Sequence, residues 1–136
     1  MELQMRKMLI GLVLAGLSNN VMAEWTRIVE SEDHEYITYA NLDTIRRKGD
    51  IAKMWTLIDY KTVQQPKSGE RYLSDESQEE YDCREEQTRN VIYTWYSGNM
   101  SGGDRVYSNS SLRQWSPVRP GSIGEAWLKI ACGITK

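Results

Sequence analysis

Phenylalanine is absent from the 136 residues, histidine occurs once, at His34, and cysteine twice, at Cys83 and Cys132. Each shortage excludes a chemistry. One histidine without matched thiolates cannot assemble the usual zinc set. It also has no nucleophile at a recognised spacing, so His34 reads as a surface turn residue, not a general base. Gly-x-Ser-x-Gly, Cys-x-x-Cys and His-Glu-x-x-His are missing. An excess of positive charge is missing too. The chain has 17 basic and 19 acidic side chains, a formal net charge of −2, whereas a nucleic-acid partner needs a basic face. The expectation is a protein without enzymatic activity, cofactor, metal or nucleic-acid ligand.

Long apolar runs are scarce. The one clear run, Met8 to Leu17, follows Arg6-Lys7 and precedes Val21-Met22-Ala23. That order reads as a secretory signal peptide over residues 1–23, cleaved between Ala23 and Glu24, with an apolar core too short for a membrane span. Met5-Arg6-Lys7 is the usual opening of such a signal, so translation starts at Met1 or Met5. Residue 24 is Glu, so the lipid-attachment cysteine of a bacterial lipoprotein is not expected. The expected product is one exported domain, residues 24–136, with neither transmembrane segment nor lipid anchor. In an oxidising compartment Cys83 and Cys132 are expected to pair. Closing a loop of roughly 50 residues is worth about 4 kcal/mol in chain-entropy terms.

What is present in quantity is Tyr and Trp, eight and five. Both pair an apolar body with a polar handle, which suits half-buried surfaces and partner-binding surfaces alike. The chain reads as strands first and one helix last. Strands are expected over 24–30, 35–40 and 51–63. In the last, Met54, Thr56, Ile58 and Tyr60 share one face, with Trp55 and Leu57 on the other. Residues 41–45 are a turn or short strand, and Arg46-Arg47-Lys48-Gly49-Asp50 is a basic loop tip. Tyr72-Leu73 is a brief extended piece, followed by an exposed polar stretch, Ser74 to Ser77. Residues 79–89 form a charged strand with Tyr81 and Cys83 on one face, continued through a bend by 90–96. A glycine-rich turn over 97–104 returns at Arg105 to Tyr107. The helix near the C-terminus is marked at both ends: Ser122 with Glu125 makes a capping box, and Gly133 suits a left-handed cap. Ile123, Ala126, Trp127 and Ile130 give it an apolar face. This is an α+β layout, an antiparallel sheet with one C-terminal helix on one face, tethered by Cys83 and Cys132.

The strand Ile51 to Tyr60 with Trp55, Tyr81-Asp82-Cys83, the strand and turn Tyr93 to Gly98, the run Trp115 to Ser122, and Cys132 together resemble the surface-adhesin protein E family of Gram-negative exported proteins. The resemblance spans nearly all of residues 24–136. It implies a six-stranded antiparallel sheet with a disulfide-held C-terminal helix, a location in the periplasm or outside the cell, and a namesake that adheres to host matrix and plasma proteins. The functional expectation is an exported, non-enzymatic binding domain that holds a protein partner. The alternative is a carrier of haem or lipid, with a pocket between helix and sheet lined by Trp55, Tyr81 and Trp127. An enzyme using Asp75, Glu76, Glu79, Glu80, Asp82, Glu85 and Glu86 is less favoured, because a charged run usually marks a solvated strand face. An exposed sheet edge also allows a homodimer.

Overall fold

The computed structural model describes residues 24–134. The expected signal segment, residues 1–23, lies outside them, as does Ala23 of the expected cleavage site; Glu24 is the first described residue. The strands are β1 (Thr26–Glu30), β2 (Tyr36–Lys48), β3 (Ile51–Gln64), β4 (Tyr72–Asp82), β5 (Gln87–Tyr96), β6 (Arg105–Asn109) and β7 (Ser116–Pro117); helix α1 is Ile123–Cys132. The first six pair in chain order as an antiparallel meander, and β7 pairs with the start of β5. β6 and β7 therefore share one edge of β5. Pro117, which has no N–H to give, sits at that edge, where a proline costs the ladder least.

Helix α1 lies across β2, β3 and β4. Its ends are set by the expected chemistry. The Ser122 hydroxyl accepts the Glu125 N–H at 3.2 Å, the Gly121 N–H donates to Glu125 Oε1 at 3.2 Å, and Gly133 takes φ 71°. The buried stripe differs from the expected one. It is Leu128, Ala131 and Cys132, with Trp127 and Ile130 on its flank. The Cys83–Cys132 disulfide turns this side of the helix to the sheet. Beneath lie Ala40, Ala52, Met54 and Tyr81. The two alanines leave room for the helix to approach closely. Arg47 Nη1 donates to the Cys132 carbonyl at 2.9 Å, closing the helix C-terminus, where a cation is favoured.

Three expectations are corrected. The basic tip is strand as far as Lys48; only Gly49-Asp50 turn, with Gly49 at φ 60°. Ser74 to Ser77 is not an exposed stretch but part of β4, between β3 and β5, and Ser74 is 0% exposed because residues 97–104 cover it. Residues 79–96 are not one bent strand. β4 and β5 pair with each other around a turn in which Asp82 Oδ1 accepts the N–H groups of Arg84 and Glu85 at 3.1 and 3.0 Å.

The opposite face of the sheet is covered differently. The β5–β6 connection, residues 97–104, folds back over β4 and β3. Asp59 Oδ1 accepts Met100 N–H at 2.8 Å and Asn99 Nδ2 at 3.0 Å. The Ser74 hydroxyl donates to the Gly98 carbonyl at 2.6 Å and accepts Ser101 N–H at 2.9 Å. Ser101 Oγ donates to Glu76 Oε2 at 2.8 Å. These bonds hold Met100 and Ser101 at φ 54° and 59°, a strained region for residues other than glycine.

Candidate functional site

Helix α1 covers only one end of its face of the sheet. At the other end, strand pairing lines up aromatic rings across five strands. Tyr36 meets Tyr60 edge-on at 5.9 Å, and Tyr60 meets Tyr72 at 5.8 Å. Tyr72 stacks on Trp95 at 4.3 Å and 10°, and Trp95 contacts Tyr93 at 5.6 Å and Tyr107 at 4.9 Å. Burial first, and then the neighbouring tyrosines and Asp75, push the Tyr60 and Tyr72 hydroxyls above their ordinary range.

Between the helix and this row lies a cavity of about 350 Å³. Thr56 and Ile58 of β3 contribute to its lining. Asp75, Ser77 and Glu79 reach it from β4, Asn90, Tyr93 and Trp95 from β5, Trp127 from α1, and Arg113 from the segment after β6. Pairing places Asp75 opposite Ile58 and Trp95, and Glu79 opposite Met54 and Asn90, so both carboxyl groups share the helix face. Asp75 Oδ1 accepts the Ser77 hydroxyl at 3.0 Å. Glu79 accepts Asn90 Nδ2 at 2.8 Å and the Thr88 hydroxyl at 3.2 Å. Among the described residues neither carboxylate has a salt-bridge partner. Burial raises both carboxyl pKa values above their ordinary range, and the hydrogen bonds offset this in part. Two buried polar atoms of residues on this lining have no partner among the described residues, the Trp127 indole N–H and Asn90 Oδ1. Buried polar groups are almost always satisfied, so these two atoms call for a partner, water or ligand.

Residues 25–133 match the model of the surface-adhesin protein E family. The chain belongs to this family. Solved structures with the same fold include Haemophilus influenzae protein E in its selenomethionine form, at 14% identity and TM-score 0.60 over 81% of this chain and 86% of that one. Crystal form II of the same protein gives 14% identity and TM-score 0.61 over 81% and 87%. Protein E from non-typeable Haemophilus influenzae gives 13% and 0.59 over 81% and 76%. At such identities the likeness establishes the shared fold and nothing finer. No curated protein sequence matches significantly.

In this member of the adhesin-E family the three aromatics singled out by sequence are not brought together. Trp127 lines the cavity. Tyr81 is 1% exposed within the core, and its buried hydroxyl has no partner. Trp55 lies on the opposite face, in a separate cavity of about 460 Å³ with Trp25, Asn41, Thr44 and Glu76. Asp75, Glu79, Tyr93 and Trp95 carry the site instead. Strict alternation back from Tyr81 would have found Glu79 and Asp75 on the helix side; the aromatic row needs the strand register. His34 stands in the β1–β2 turn at φ 61°, its side chain 74% exposed and 3.4 Å from Glu30. Among the described residues no group of three or more His, Cys, Asp or Glu side chains stands close enough to hold a metal ion, and no helix is long and apolar enough to cross a membrane.

Proposed function

We propose that this chain is an exported, non-enzymatic binding domain of the cell envelope or its exterior, holding a protein partner by a basic side chain inserted between α1 and the aromatic row. The observation that carries the reading is the pair Asp75 and Glu79, half-buried beside Tyr93, Trp95 and Trp127 and unpaired with any cation among the described residues. A lysine or arginine supplies the missing charge, and aromatic faces attract the same cation. A guanidinium also offers donors to Asn90 Oδ1. Arg113, 5.9 Å from the Tyr93 ring, shows that a guanidinium is tolerated at the rim. The aromatic row extends the contact surface with side chains that dominate binding energy in interfaces. The adhesin name of the family supports a role in holding proteins. Haem or lipid fits less well, because a small cavity with two half-buried carboxylates repels their acidic groups.

The test is retention of purified matrix and plasma proteins, and of envelope extract, on the immobilised chain and on its Asp75→Asn/Glu79→Gln form. The reading expects a protein retained by the first and released by the second. Retention indifferent to the two substitutions, or no protein retained, contradicts it.

A further inference from the structure

On the opposite face, at the β2–β3 turn end, the charge is reversed. A cavity of about 400 Å³ is lined by Arg46, Arg47, Lys48, Lys53 and Arg89, with Ile51 and the single carboxylate Glu80. In a chain of net charge −2 this is a concentration, not a background. The strand register builds it. Arg46 pairs with Lys53, Lys53 with Glu80, and Glu80 with Arg89, one row across four strands; Lys48 follows one pleat nearer the turn. Like charges directly opposite each other in a sheet are destabilising, so Arg46 against Lys53 is a cost that a bound anion would relieve.

Three of the cations are fixed, and the guanidinium of Arg47 is committed to the Gly49 and Cys132 carbonyls at 2.9 Å each, which leaves Arg46 and Arg89 as the fixed groups of this cavity. Arg46 Nη1 donates to the Asp43 and Ile45 carbonyls at 2.9 Å each. Arg89 is held between Glu80 Oε1 at 2.8 Å and the Trp115 ring at 4.4 Å. Lys48 and Lys53 have no carboxylate partner among the described residues.

We infer that this cavity is a second binding site, independent of the helix-face cavity, and that its ligand is a sulfated oligosaccharide. The fixed guanidinium groups suit tetrahedral oxyanions, and the two lysines serve as mobile point charges. A membrane surface is disfavoured: none of the exposed large apolar side chains, Val29, Leu42, Val63, Leu112 and Ile134, lines the cavity to enter a bilayer. A nucleic acid is disfavoured because no aromatic ring on the lining offers a base to stack on.

The experiment is calorimetric titration of the full exported chain with a heparin octasaccharide and with its desulfated form, at low and physiological salt. The expected result is binding of the sulfated form only, weakened about tenfold between the two salts. Lys48→Glu/Lys53→Glu should lower affinity by at least about thirtyfold, and Lys48→Gln/Lys53→Gln by less, with melting temperature held as the folding control. Equal binding of the desulfated sugar, an unchanged affinity in both variants, no binding at low salt, or preference for anionic phospholipid vesicles overturns the inference. Asp75→Asn/Glu79→Gln should leave this titration unchanged, so the two sites fail or stand separately.

Discussion

The two faces of the sheet bury polar groups in opposite ways, and β4 shows both at once. On the loop-covered side, Ser74 and Glu76 are met by residues 97–104, every bond within 2.9 Å. On the helix-covered side, Asp75 and Glu79 alternate with them yet meet no cation, and the neighbouring Trp127 and Asn90 keep a donor and an acceptor idle. Asp75 and Glu79 do accept hydrogen bonds, from Ser77 and from Asn90 and Thr88, so what sets this side apart is two carboxylates without a cation and two polar atoms without a partner among the described residues, both of which cost stability. The covers differ as well. One is a covalently held helix over a small alanine-rich core, the other a hydrogen-bonded turn.

The largest effect that separates the faces is loss of the clamp. Cys83→Ser/Cys132→Ser opens a loop of 49 residues and should lower unfolding free energy by about 4 kcal/mol in denaturant titration. Hydrogen exchange should show α1 losing protection while residues 97–104 keep theirs. Equal loss on both faces would break the contrast.

Ser74→Ala attacks the other cover. It strands the Ser101 N–H and should cost about 1–3 kcal/mol by thermal or chemical unfolding. Affinity for a basic peptide at the helix face should stay within about twofold, since the hydroxyl faces away from that cavity.

Asp75→Asn/Glu79→Gln should do the reverse, raising melting temperature at neutral pH by about 2–5 °C while weakening a blocked Gly-Arg-Gly peptide at least about tenfold. The pH dependence gives the sign. Folding raises both carboxyl pKa values above their ordinary 3.8 and 4.5. Just above those values the folded chain holds protons that the unfolded chain has released, so these groups lower stability as pH rises through that interval. The gap in melting temperature between parent and variant should therefore close on acidification. A gap that widens at low pH would refute it.

The smallest contrast is ionic. Between 50 and 200 mM salt, affinity for the singly charged peptide at the helix-face cavity should change about twofold, and affinity for the multiply sulfated sugar at the basic cavity about tenfold, because more ion pairs are screened there. Identical salt dependence would remove the distinction between them.

Much of this layout is legible in the residues. The capped helix, the alternation in β3 and the cysteine pairing all follow from local chemistry or compartment. β4 does not, because Ser74 to Glu80 carries no apolar alternation. Its pairing is imposed by the strands beside it and its burial by the 97–104 connection on one face, information that lies elsewhere in the chain. Arg46 to Lys48 reads as a loop for the same reason: pairing with Ile51 to Lys53 extends β2 against its own polarity. The helix stripe was displaced because apolar spacing fixes a helix but not which side a disulfide turns inward. The candidate site is illegible in the sequence where it depends on register. Tyr36, Tyr60, Tyr72, Trp95 and Tyr107 are far apart in sequence and become a row only when five strands align.

Carboxyl-carbon NMR of Asp75 and Glu79, titrated with pH with and without saturating blocked Gly-Arg-Gly peptide, reads the proposed helix-face site directly. The account predicts elevated midpoints in the free chain that fall when the peptide binds, because an adjacent cation favours the ionised form. Midpoints that stay put with peptide bound, or that are not elevated in its absence, would contradict it.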